Sequence, residues 1–162
     1  MNNSAIIASC QQYRYALTRA PLAAVVSNPP AVFIMLNPST ADATQDDPTI
    51  RRCRGFASSW GANGIVVVNL YGLRATDPAA LWQHPDPVGP ENDEWIRRFA
   101  LEAKSVVCAW GTNARADRVK TVTSMLIDAG VHLLCLGVTK HGAPRHPLYI
   151  RADQELEAYT LC

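Results

Sequence analysis

The sequence predicts an α/β fold in three layers, with a central four-stranded, mostly parallel sheet, helices on both faces and an antiparallel hairpin at the N-terminal edge. Three observations predict it. The apolar runs at 31–36 (AVFIML), 64–72 (GIVVVNLYG), 105–111 (SVVCAWG) and 131–137 (VHLLCLG) are continuous rather than alternating. Strands of a parallel sheet, buried on both faces, read in this way. The segments between them carry helical apolar spacing, so the chain spells β-α-β-α-β-α-β. No repeat, low-complexity tract or long linker divides the 162 residues, and 1–162 reads as a single domain.

The elements follow in order. The alternation in YRYAL (13–17) suits an edge strand, hairpinned with LAAVV (22–26). Asn28-Pro29-Pro30 breaks the chain before the first buried strand. Asp47-Pro48 is a helix start, with aspartate as N-cap and proline at the first helical position. Ile50, Cys53, Ala57 and Trp60 share one face of that helix, and Gly61 is its stop. After the second strand comes a Pro-rich stretch from Asp77 to Pro90, with Thr76-Asp77-Pro78 as a capping turn. A helix over about 91–104 turns Trp95, Ile96, Phe99 and Ala103 inward. Beyond the third strand, Asn113 is placed to cap a helix bearing Val119, Val122, Met125, Leu126 and Ala129, closed by Gly130. The fourth strand leads into the loop VTKHGAPRHPLY and then a short helix over about 152–159.

Composition narrows the class. With 48% hydrophobic and 18% charged residues the chain can bury a core of its own, unlike a disordered segment. A formal charge of +1 gives no global pull toward nucleic acid or anionic lipid, so any such footprint is local. Five cysteines, odd in number and without a C-x-x-C pair, argue against a disulfide framework and a four-thiolate metal site. MNNSAIIASCQQ has no basic n-region, and no apolar run is long enough to span a bilayer. The reading is a cytoplasmic protein with no membrane association and no obligate protein partner.

Three polar groups leave the carboxyl ends of these strands: Asn37, Asn69 and the loop bearing His146. In an open parallel sheet ligands bind beyond those ends. Asn37-Pro38 is either turn punctuation or part of a site. Asn69 follows a run of valines, and a buried amide must find partners or lose about 1–3 kcal/mol. A heterocycle offering a carbonyl and a ring N–H would satisfy it; so would buried backbone. Pro147 restrains His146 toward extended geometry, which fixes the direction of the imidazole.

These residues carry a resemblance. MLNPS (35–39) is similar to the first active-site motif of the uracil-DNA glycosylase superfamily, VVVNLY (66–71) to its second strand, and RHPLY (145–149) to the His-Pro motif that closes the site. The three come in the family's order. The whole chain also resembles a bacterial and phage family of unknown function, through LNPSTAD, DDPTIRRC, NLYGLRATDP, AWG and HPLY. The glycosylase resemblance implies a uracil-DNA-glycosylase-like fold and hydrolysis of an N-glycosidic bond, with release of a base from DNA, rather than RNA, or from a nucleotide. It implies that Asn37 positions the attacking water, Asn69 reads the base edge and His146 steadies the departing base as a neutral donor. Pro38 and Ser39 shape the pocket, and Tyr71 or Phe56 stacks on the base. No metal and no organic cofactor is implied. Asp42, Asp46 and Asp47 have oxygen-ligand chemistry, but the Asp-Pro pair serves helix initiation. Leu36 and Ser39 depart from the glycines of the motif, so a modified base fits as well as uracil.

Local charge agrees with such a substrate. Arg51, Arg52 and Arg54 cluster on one helix turn, and Lys140, His141, Arg145 and Arg151 flank the third motif, where phosphate contacts would position a strand. Two other functions use the same pocket: a module that binds nucleotide or nucleic acid without breaking a bond, and a hydrolase of free nucleosides or nucleotides. Near-neutral overall charge suits the last.

Overall fold

In the computed structural model, which describes residues 2–23, 28–39 and 45–161, one sheet of seven strands runs through the molecule. In chain order the elements are β1 (Ser4–Ile7), β2 (Arg14–Arg19), β3 (Ala31–Met35), α1 (Pro48–Ser59), β4 (Ile65–Asn69), α2 (Asn92–Ala103), β5 (Ser105–Cys108), α3 (Ala116–Asp128), β6 (His132–Cys135) and β7 (Glu157–Ala158). Short 3₁₀ turns cover Pro78–Gln83 and Pro147–Tyr149.

The expected four-stranded parallel unit stands at the centre as β4-β3-β5-β6, and three antiparallel strands extend it. The sheet is therefore mixed and larger than the apolar runs indicate. On one side β2 pairs with β4 and β1 with β2. The N-terminal hairpin exists, but its strands are β1 and β2, and β2 is internal. Both edges of β2 are taken, so it has none left for 22–26, of which residues 24–27 lie outside the described residues. At the other edge β7 pairs with β6, where a short helix over 152–159 is expected. An unpaired edge explains the outcome: β6 has open backbone groups there, and the Tyr159 N–H closes one of them on Leu133 O at 2.9 Å.

Alternation along β3 separates two cores. Phe33 and Met35 join Ile50, Cys53, Phe56 and Ala57 of α1 on one face; Val32 and Ile34 join Ile96 and Ala100 of α2 and Val122 and Leu126 of α3 on the other. That is the three-layer α/β arrangement. Because the chain leaves β3 for α1 on one face and β5 for α3 on the opposite face, the carboxyl ends of these neighbouring strands part and leave a crevice. Cys53 and Cys108 are core thiols whose pKa burial pushes up.

α1 opens as expected. Asp47 is its N-cap, accepting from Ile50 N–H at 2.8 Å, with Pro48 in the first turn. Asp77 caps the 3₁₀ turn at Pro78 in the same manner, through Ala79 N–H at 2.9 Å. Asn113 does not cap α3, whose N-cap is Arg115. No described helix is long and apolar enough to cross a membrane.

Candidate functional site

The crevice holds a cavity of about 640 Å³. Asn37 and Ser39 reach it from the turn after β3, Asn69 from the last position of β4, and Trp110, Gly111, Thr112 and Asn113 from the exit of β5. Asp47 and Thr49 come from the start of α1, and Lys140, Arg145 and His146 from the loop after β6. Backbone bonds join these exits. Ala75 N–H donates to Pro38 O at 2.9 Å, and Gly111 N–H to Pro144 O at 3.0 Å. Gly111 takes φ +74, where a side chain would be strained, and a Cβ there would stand 3.7 Å from the His146 Cβ.

The Asn37 carboxamide is half committed. Its Nδ2 donates to Pro38 O at 3.0 Å and to Ala75 O at 2.8 Å, which orients the group. Its Oδ1 accepts nothing among the described residues and is left for a donor such as water.

Asn69 is 1% exposed, and its Nδ2 has no hydrogen-bond partner among the described residues. The backbone behind it is pinned instead. Asn92 Nδ2 donates to Asn69 O at 2.9 Å and to Leu70 O at 3.2 Å, and Arg118 Nε donates to Leu70 O at 2.8 Å. Asp93 in turn holds the Arg118 guanidinium. A rigid strand end thus carries, at the cavity wall, a side chain whose buried Nδ2 is unpaired among the described residues.

His146 is the N-cap of the Pro147–Tyr149 turn, and its Nδ1 accepts from Leu148 N–H at 3.3 Å. With Nδ1 occupied as an acceptor, the neutral ring carries its proton on Nε2. Burial lowers the His146 pKa below the ordinary histidine value; the Asp47 carboxylate opposes this without reversing it. Near neutrality the group is an uncharged N–H donor. Asp47 itself spends one oxygen on the α1 cap and accepts from Ser39 Oγ on the other, at 2.8 Å.

Of the residues singled out from sequence, Asn37, Ser39, Asn69, Lys140, Arg145 and His146 share the cavity lining. Pro38 contributes through its carbonyl. Tyr71 and Phe56 are buried, and neither lines the cavity, so neither ring lies where a stacked base would need it. The Tyr71 ring meets Trp82 edge-on at 5.3 Å, and its hydroxyl accepts from Arg115 N–H at 3.3 Å. Phe56 lies between Trp60, at 5.8 Å, and the Arg52 guanidinium, 4.9 Å above the ring.

The arginines of α1 also bond to the protein itself. Arg51 donates to Asp46 O at 2.6 Å, Arg52 to the carbonyls of Pro147 and Ile150, and Arg54 pairs with Asp46 at 2.8 Å. Fully buried Arg19 takes the other Asp46 oxygen at 2.5 Å. Two guanidiniums hold the Asp46 carboxyl below its ordinary range against the opposing effect of burial. Asp42, the third member of the acidic group, lies outside the described residues.

Sequence reasoning passed over Arg14 and Tyr149 as lining residues, and read Asp47 as a cap, with oxygen-ligand chemistry as its other use. Arg14 is an internal residue of β2 and carries no local signal. Tyr149 had one: Pro147 starts a 3₁₀ turn, whose spacing buries Pro147 and Ile150 and turns Leu148 and Tyr149 outward. Tyr149 stands 83% exposed and Leu148 42% exposed at the cavity lip.

Comparison with curated proteins and with solved structures gives no match. Residues 14–148, from β2 to the turn after His146, match the model of the family described as protein of unknown function (DUF1643), and the chain belongs to that family.

Proposed function

We propose that the protein is a glycosylase-like hydrolase, which releases a base, ordinary or modified, from DNA or a nucleotide. The supporting observation is the Asn69 amide: buried, without a partner for its Nδ2 among the described residues, and on a residue that lines the same cavity as Asn37 and His146. A planar base with a carbonyl edge supplies the missing acceptor. Hydrolysis of the glycosidic bond builds positive charge on the sugar and negative charge on the base. His146 offers an uncharged Nε2–H to the base, and Asn37 Oδ1 accepts from the water that attacks the sugar. The resemblance of MLNPS, VVVNLY and RHPLY to the glycosylase motifs assigns these residues the same duties.

One observation favours a small substrate within this chemistry. Arg52 and Arg54 are held by internal partners, and Lys140 and Arg145 are the cations that the loop after β6 brings to the cavity, Arg145 with its Nε on Val138 O at 3.1 Å. That set matches the phosphate of a free nucleotide, or the single extruded nucleotide of a strand, better than a long duplex footprint.

The test is a panel of single- and double-stranded oligonucleotides and nucleoside monophosphates carrying uracil and modified bases. Base release is read by mass spectrometry and, for DNA, by alkaline cleavage. The wild type is expected to release base from at least one member, and Asn37→Ala and His146→Ala to lose release by roughly 10²-fold or more with folding intact. Equal release by all three proteins would refute the assignment. Binding without release by the wild type would make the protein a non-catalytic module.

A further inference from the structure

We infer that the Ser39–Asp47 pair is the proton acceptor for the attacking water, an inference that rests on the proposed hydrolysis. An asparagine amide holds water by accepting a hydrogen bond, but it does not take up a proton at neutral pH. Some other group must do so. Among the described residues that line the cavity, Asp47 is the only carboxylate. Lys140 and Arg145 are cationic. His146 has its Nδ1 engaged by Leu148 N–H, so its cavity-facing nitrogen is the donor that the leaving base requires.

The hydrogen bond of 2.8 Å between Ser39 Oγ and Asp47 Oδ2 sets the direction of transfer. Ser39 donates to the carboxylate, which leaves its lone pairs free to accept from water. Asn37 Oδ1 and Ser39 Oγ are therefore two acceptors, two residues apart on one turn, both at the cavity wall. A water held between them loses its proton to Ser39 as Ser39 passes its own to Asp47. The water oxygen bonds to the anomeric carbon, the C–N bond breaks, and its electron pair leaves with the base beside His146. The base anion is then protonated by Asp47, so the products are free base and sugar with a hydroxyl, and the carboxylate is restored. Helix capping alone needs only Asp47 Oδ1, whose partner is Ile50 N–H.

Asparagine caps helices as well as aspartate does. Asp47→Asn therefore keeps the start of α1 while removing the carboxylate, and Ser39→Ala removes the relay with the cap untouched. The experiment measures single-turnover release at pH 7 on the best substrate of the panel, with affinity for that substrate measured separately. Asp47→Asn is expected to lose roughly 10²–10³-fold in rate, Ser39→Ala at least tenfold, with affinity changed less than threefold in both. Variants with wild-type rates would overturn the proton acceptor while leaving the hydrolase standing. Absence of release by the wild type would overturn both.

Discussion

Asn69 holds a position that a stable core would fill otherwise. An unpartnered buried amide donor costs about 1–3 kcal/mol, and the neighbouring side chains of β4, from Ile65 to Val68, are all apolar. Replacing it by leucine removes that cost and extends hydrocarbon into an existing cavity. Asn69→Leu is therefore expected to unfold in urea at an unchanged or higher midpoint, with a gain of about 1 kcal/mol, while the thermal shift caused by the best substrate disappears. A loss of stability greater than about 1 kcal/mol would show the amide to be a structural bond rather than a ligand donor. The sequence marked this residue, since an asparagine closing a run of valines is anomalous in itself. It did not separate a ligand from buried backbone as the partner, because that depends on Asn92 and Arg118, 23 and 48–49 residues away, which pair with the carbonyls around Asn69 and leave its amide alone.

At the scale of elements, α1 is the clamp of the site. Arg52 reaches from its surface to the carbonyls of Pro147 and Ile150, and so fastens the turn that begins at His146. Arg51, one residue earlier, bonds among the described residues to the carbonyl of Asp46 alone. Arg52→Met should cost about 1–3 kcal/mol in chemical denaturation, as charged hydrogen bonds to backbone do, and should weaken substrate affinity through misplacement of His146. Arg51→Ala should stay within about 0.5 kcal/mol. If both arginines instead touched phosphate, the two variants would share a reduced salt dependence of binding with little change in stability. The charge cluster RRCR was visible in the sequence, but its use was not. Helical periodicity places the arginines on α1, whereas their partners lie 5 and 95–98 residues away. The end of the chain teaches the same lesson. Residues 152–159 have helix-forming composition, yet the open edge of β6 takes 157–158 as a strand.

For the whole molecule, two groups set the response to acid, and both have the same sign. Asp46 is held below the ordinary carboxylate range in the fold by Arg19 and Arg54, so its contribution is full above the unfolded value of about 3.9 and is lost as pH falls through the folded value. His146 is lowered by burial. The unfolded chain takes up a proton near pH 6.5 while the folded protein resists it, so stability declines as pH falls from there. Unfolding free energy should be level from about pH 7.5 to 8, fall gently toward pH 5 and drop steeply below about pH 4. His146→Gln should flatten the first decline, measured by urea titrations across pH, and leave the second. A wild-type profile that rises from pH 7 to 5 would contradict the histidine assignment.

Local pattern by itself determined the order of the central elements and the placement of Asn37, Asn69 and the His146 loop beyond strand carboxyl ends. Continuous apolar runs specify buried parallel strands, helical spacing specifies the crossovers, and Asp-Pro pairs specify where helical turns begin. Only the tertiary structure decided which polar groups remained for chemistry. Antiparallel strands closed the flanks of the sheet, the core took Tyr71 and Phe56, and backbone carbonyls and Asp46 engaged the arginines of α1. Asn69, Asn37 and His146 were left lining one cavity, with Asn69 Nδ2 unpaired among the described residues. The physical reason is that a buried donor or acceptor is settled by whichever partner the whole fold brings within about 3 Å, and most of those partners are far away along the chain.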